Sequence, residues 1–324
     1  MPVFPIFVAL SVAAQASPEC ALSPSDQAWV DQSMSAWNYA ARSISGIGRV
    51  KSITAFLFDD RCVITSASAM NGGPNRWTAG LHHGTVELPG GESIKPQVIS
   101  FANSSDGQPF FVMSTPGIWR AAGKTGKGTT LEKLMTAVML HEGTHVAQVP
   151  TYGAAIGRIA ERYHLPDDFS DDSIQKQFGK DAEFAASVER ESALLMQASE
   201  ARNRREAERL VRAARDLMRA RYARWFTGRD AYHSEAEPLW LTMEGSAQWV
   251  AYQWEIDPRG GKVRASDVRP GFVNDKWWSQ REGFAAFMAL DRLTGAAWKR
   301  QAFHLGRKNI LEMLDDAASE RVKR

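Results

Sequence analysis

The sequence is poor in the residues that build stapled or cysteine-ligated folds. Its 324 residues include only 2 cysteines, Cys20 and Cys62, with no CxxC pair. That excludes a disulfide-dense scaffold and argues against a cysteine-ligated zinc site. In an oxidising compartment the two could pair with each other and tie the N-terminus to the first strands. Charge of one sign is not in excess either. The 39 basic and 37 acidic residues leave a net charge of +2, so no global bias toward nucleic acid or an anionic membrane exists. No internal repeat is evident, which speaks against a solenoid. Beyond the extreme N-terminus no apolar run is long enough to span a bilayer. Histidine is also scarce, with 7 in the chain, so any pattern in which it recurs carries information.

What is present reads as globular: 44% hydrophobic residues, 23% charged and 11 tryptophans,. The N-terminus stands apart. An apolar run from Val3 to Ala14 is followed by Ala14-Gln15-Ala16, a small-x-small pattern. This predicts a signal peptide over 1–16, although no Lys or Arg precedes the run. Pro5 and the shortness of the run argue against a permanent anchor. The expectation is a periplasmic or secreted protein, one domain over 17–324, with no stable membrane insertion after cleavage.

The predicted fold class is α+β, a small, mainly antiparallel N-terminal sheet followed by a predominantly helical body. The β-rich part covers 49–123. "ITAFLF" (53–58), "CVIT" (62–65), "QVISF" (97–101) and "PFFVMSTP" (109–116) are short runs rich in β-branched and aromatic residues,. "GTVELPGGESI" (84–94) carries a hairpin signal at Pro-Gly-Gly. A helix is predicted over 129–149, opened by Thr129 and Glu132 at capping-box spacing and closed at Pro150. A helical insertion covers 160–230; within it the stretch from Asp181 to Phe226 is either one long helix or a hairpin bent near 199–210, where the charge run reads as a solvated helix face. A further helix covers 235–256, opened by Ser234 and Glu237 with Pro238 in its first turn. C-terminal helices cover 277–316.

Within the 129–149 helix stands "HEGTH". His141 and His145, four apart, fall on the same face as Leu131, Leu134, Met135 and Val138,. Two imidazoles one turn apart can reach the same zinc ion, and Glu142 then projects beside the metal, where it can act as general base. A catalytic zinc site needs a third protein ligand. No further His follows closely, so a carboxylate from a later helix is expected. Glu244 is the choice. It shares a stripe with Trp240, Ala247 and Ala251, and a carboxylate on an apolar stripe is costly to bury unless it is paired or binds a metal. Gly245 and Ala247 are small enough to let that helix approach the active-site helix. Glu191 is the rival, on a stripe with Phe184, Val188, Leu195 and Ala198. It could be a ligand, an outer partner of a ligand His, or the partner of an Arg in its own helical hairpin. Glu189 faces outward.

A sheet, a helix carrying His141-Glu142-x-x-His145 and a later helix carrying Glu244-Gly245-x-Ala247 resemble the gluzincin class of zinc metallopeptidases. The resemblance covers the two motif helices and the order of elements. The 99 residues between His145 and Glu244 are many for that class, and the helical insertion accounts for them. It implies a zincin-like catalytic body, Zn2+ as cofactor and a peptide or protein substrate; from the balanced charge no nucleic-acid partner is expected,. The alternative is an exported, non-catalytic binding or assembly protein that retains a zinc site. No transition-state donor is assigned among His233, Tyr252 and Arg281. His82 and His83 read as structural or exposed, and Trp240, Trp249, Trp254, Trp277, Trp278 and Trp298 as core and groove walls.

Overall fold

A computed structural model describes residues 20–47, 54–67, 76–126 and 128–319. The expected signal peptide lies outside them. The first helix of the described residues is α1 (Pro24–Tyr39), capped by Ser23, whose Oγ accepts from the Asp26 N–H,. Among the described residues seven strands follow: β1 (Thr54–Phe58), β2 (Cys62–Ala67), β3 (Arg76–Leu81), β4 (Val86–Glu87), β5 (Ser93–Ile94), β6 (Ser100–Ser105) and β7 (Gln108–Ser114). The rest is helical: α2 (Pro116–Ala121), α3 (Leu131–Gln148), α4 (Ala154–Tyr163), α5 (Ser173–Phe178), α6 (Ala182–Glu200), α7 (Arg204–Trp225), α8 (His233–Ile256), α9 (Ala265–Val273), α10 (Trp278–Thr294) and α11 (Ile310–Ser319). The α+β architecture is thus observed. Among the described residues no helix is long and apolar enough to cross a membrane.

The sheet order is β3-β2-β1-β7-β6, and β4 and β5 form a separate small hairpin. The most apolar strands, "TAFLF" and "QPFFVMS", take the centre, where both faces are covered,. Ala55, Leu57, Phe111 and Met113 point to the helical core. Their neighbours Phe58, Phe110 and Val112 point the other way and pack with Val86 and Leu88 from the hairpin segment. The central β1–β7 pair is parallel, with Leu57 opposite Met113, and the other pairs are antiparallel. Cys20 and Cys62 form a disulfide that ties the segment before α1 to β2.

Three local expectations need correction. The cap of α3 is Thr130, which accepts from the Lys133 N–H, while Glu132 pairs with Arg120. The helix α8 starts at His233 without a side-chain cap, so Pro238 lies beyond its first turn. Glu237 cannot serve as a cap there because Arg221 holds it at 2.7 Å. Gly245, finally, is the contact point with α10 rather than with α3. A Cβ on Gly245 would stand 2.3 Å from the Gly283 carbonyl carbon, and one on Gly283 would stand 2.7 Å from the Gly245 nitrogen. The two backbones touch because neither residue has a side chain. Gly245→Ala is therefore expected to destabilise the fold by about 1–3 kcal/mol or more through overpacking. Urea unfolding would register this as a lower midpoint at unchanged slope, and an unchanged midpoint would deny the close crossing.

Within the insertion, the stretch from 181 to 226 is a hairpin of α6 and α7, broken at Ala201, Arg202 and Asn203. Asn203 caps α7 through the Glu206 N–H. α6 lies on α10, and α10 lies on α8, which in turn lies on α3. This stacking carries the helices outward from the sheet in successive layers.

Candidate metal centre

The helix α3 runs beside β6 and β7 and contacts α1 and α8. Gly143, the middle residue of "HEGTH", lets α1 come close: a Cβ there would meet the Trp37 ring at 2.8 Å. On the other side Gln148 Nε2 donates to Ser246 Oγ of α8 at 2.9 Å. That bond pins the end of α3 to α8 one short step past Glu244.

This packing brings the three expected ligands together. The Nε2 atoms of His141 and His145 lie 2.8 Å apart. Glu244 places Oε2 3.2 Å from His141 Nε2 and Oε1 3.1 Å from His145 Nε2. Among the described residues this is the group of His, Cys, Asp and Glu side chains able to hold a metal ion. With zinc–ligand bonds of about 2.0–2.2 Å, the edges of a tetrahedron are roughly 3.3–3.6 Å. The observed triangle needs only a small expansion to reach that size. Two imidazoles and one carboxylate also chemically suit a metal ion, which binds the imidazoles in their deprotonated, neutral form. The donor set therefore could hold a metal ion.

All of these groups are sheltered. His141 is 8% exposed, His145 7%, Glu142 6% and Glu244 6%. Burial opposes charge on His145, but the Glu244 carboxylate against it prevails and raises its pKa to about 9. Burial likewise works against the Glu244 anion, yet His145 and His141 hold it well below the usual carboxylate range. Burial pushes Glu142 up, and the Glu244 charge adds to the rise against the opposing pull of the two His. Ser100 of β6 faces the Glu142 carboxylate.

Glu191 does point inward, as its stripe predicts, but it belongs elsewhere. It is fully buried against Arg221 of α7, with Nη2 2.8 Å from Oε2. The hairpin-partner reading of Glu191 is the one observed. Glu189 is exposed and pairs with Arg281. The other singled-out residues also have partners of their own. His233 meets Gln177 at 3.0 Å, and burial lowers its pKa to about 4. Tyr252 packs edge-on against Phe272 and Phe284. His82 is buried against the Asp59 carbonyl at 2.9 Å, and His83 is exposed. Trp249 packs on Trp298 and Trp278 on Phe184, as core residues do.

Sequence reasoning missed the surroundings of the centre. Asp171, Asp172 and Asp275 all feel the Glu244 charge. Burial, reinforced by Glu244, pushes Asp171 up to about 7, while its Oδ2 accepts from Ser279 Oγ at 3.0 Å. These residues sit in loops and at a helix start, where no periodicity marks them. Ser100 lies on a strand that the apolar runs placed a few residues too early. No protein-family model, curated protein or solved structure matches the chain.

Proposed function

We propose that the chain is an exported, zinc-dependent hydrolase, most simply a metallopeptidase of gluzincin type acting on a peptide or protein substrate. The observation that carries the reading is the convergence of His141, His145 and Glu244 with Glu142 buried beside them. A zinc ion supplies Lewis acidity and makes water acidic enough to lose a proton near neutrality. The chain's own contribution is positional. His141 and His145 are fixed on one helix face, Glu244 is brought to them by α8, and Glu142 stands where it can accept a proton from the attacking water and return it to the leaving amine. The sheet supports a peptide-type substrate as well. β6 pairs with β7 on one side and lies against α3, so its outer edge offers backbone groups to an extended chain.

The deep burial of the ligands favours a second reading, a binding or assembly protein that keeps a closed zinc site without turnover. Glu142→Gln separates the two. In the hydrolase reading it lowers cleavage of a peptide library by roughly 10²–10⁴-fold and leaves zinc content unchanged, measured by mass spectrometry on the same samples. A zinc-loaded parent that cleaves nothing, with Glu142→Gln indistinguishable from it, supports the second.

A further inference from the structure

The outer face of α7 is a row of arginines. The helix carries 8 Arg, no Lys and 3 acidic residues. Some of these arginines are structural. Arg215 and Arg221 are buried, Arg204 holds Glu208 and the Leu293 carbonyl, Arg219 is shared between Asp216 and Asp315, and Arg224 pairs with Glu183. Arg205, Arg209 and Arg212 are different. They are exposed at helical spacing on one ridge,. Among the described residues none of the three has a carboxylate partner, and Arg212 donates only to the Ala318 carbonyl. The nearby acids are already engaged: Glu206 with the Arg202 N–H, Glu208 with Arg204, Asp315 with Arg215 and Arg219, and Asp316 with Lys308.

The three guanidinium groups lie along about 10 Å of helix at a rise of about 1.5 Å per residue. Guanidinium forks match phosphate oxygens in pairs. The ridge has no exposed aromatic ring on which a nucleic-acid base could stack,. It also has no exposed large apolar side chain to insert into a hydrocarbon core,. What complements such a row is a surface of mobile phosphates that can gather beneath fixed cations. We propose that Arg205, Arg209 and Arg212 dock the protein on a bilayer containing anionic phospholipid, by adsorption without insertion. The proposal is independent of the metal centre.

The test is co-sedimentation of the full chain with vesicles of phosphatidylcholine alone and of phosphatidylcholine with phosphatidylglycerol. An apolar N-terminal segment would bind both alike, so the readout is the ratio of the two affinities. Binding is expected to favour the anionic vesicles and to fade as added salt screens the charges. The triple variant Arg205→Gln, Arg209→Gln, Arg212→Gln should lower the affinity for anionic vesicles by roughly a hundredfold. A control with equal charge loss elsewhere, Arg42→Gln, Arg61→Gln, Arg307→Gln, should keep the preference. Circular dichroism checks that both variants are folded, which exposed positions allow. Equal affinity for the two vesicles overturns the proposal, as does an unchanged preference in the α7 variant. Binding to a polynucleotide but not to anionic vesicles at the same salt overturns it in favour of nucleic acid.

Discussion

Replacing Glu244 by Ala is expected to weaken the proposed zinc binding by more than about a hundredfold, the upper end of what even an outer-sphere partner of a metal ligand contributes. The reason is geometric. Each Glu244 oxygen faces one imidazole, at 3.2 Å and 3.1 Å, and no other carboxylate joins the cluster among the described residues. Truncation leaves two His on one helix, which is a weak divalent site. Glu191→Ala is the matched comparison. Glu191 is also a buried carboxylate on an apolar helical stripe, but it holds Arg221, so its loss should cost stability and leave zinc affinity alone. Mass spectrometry of metal content, with competition against a chelator, reads both. If Glu191→Ala loses zinc while Glu244→Ala keeps it, the site has been drawn on the wrong helix.

The second large effect concerns Arg221 itself. Arg221→Leu is expected to lower the unfolding free energy by about 3–5 kcal/mol, the cost of breaking a buried ion pair from one side. Arg221 joins four helices. From α7 it reaches Glu191 on α6 at 2.8 Å, Glu237 on α8 at 2.7 Å and Glu282 on α10 at 3.5 Å. Burial opposes its charge, yet the three carboxylates hold the guanidinium firmly protonated. One cation among three acids leaves an excess of buried carboxylate. Burial is the main reason that Glu282 is pushed well above the ordinary range, and a hydrogen bond with Glu191 adds to it. A raised carboxyl keeps its proton in the folded chain at a pH where the unfolded chain has lost it. Its contribution to stability is therefore full at acid pH and declines as pH rises above the ordinary carboxylate range. Glu282→Gln supplies a permanently neutral donor and should remove that decline. In urea titrations the variant should gain on the parent steadily from acid to neutral pH. A variant that loses ground instead would mean that Glu282 is ionised and pairs with Arg221 directly.

The parts of the centre that the sequence announced are those fixed by local periodicity. His141 and His145 are four apart on a helix, so one face must hold both. Glu244 and Glu191 both sit on apolar stripes, so both turn inward. Which of them meets the histidines is a matter of how α6 and α8 stack, and that is decided by contacts such as Gly245 on Gly283 that no local pattern records. The same holds for the sheet. Hairpin-like turns announced the antiparallel pairs, whereas the parallel pairing of β1 with β7 joins residues more than fifty positions apart. β3 was hidden because "RWTAGL" alternates weakly and contains no apolar run. The Ser234–Glu237 spacing misled because a capping motif is only a preference. The Ser234 N–H already donates to the Ala231 carbonyl at 3.1 Å, and Arg221, offering a buried charge, takes the Glu237 carboxylate,.

The long interval between the motif helix and Glu244 also has a consequence in time. A chain grows at about 5–20 residues per second. His145 therefore precedes Glu244 by several seconds, and the α10 backbone that seats α8 comes later still. Throughout that interval the nascent chain displays two histidines without their carboxylate. A centre split in this way is assembled only after α8 and α10 have emerged and packed onto α3, long after its two histidines were made.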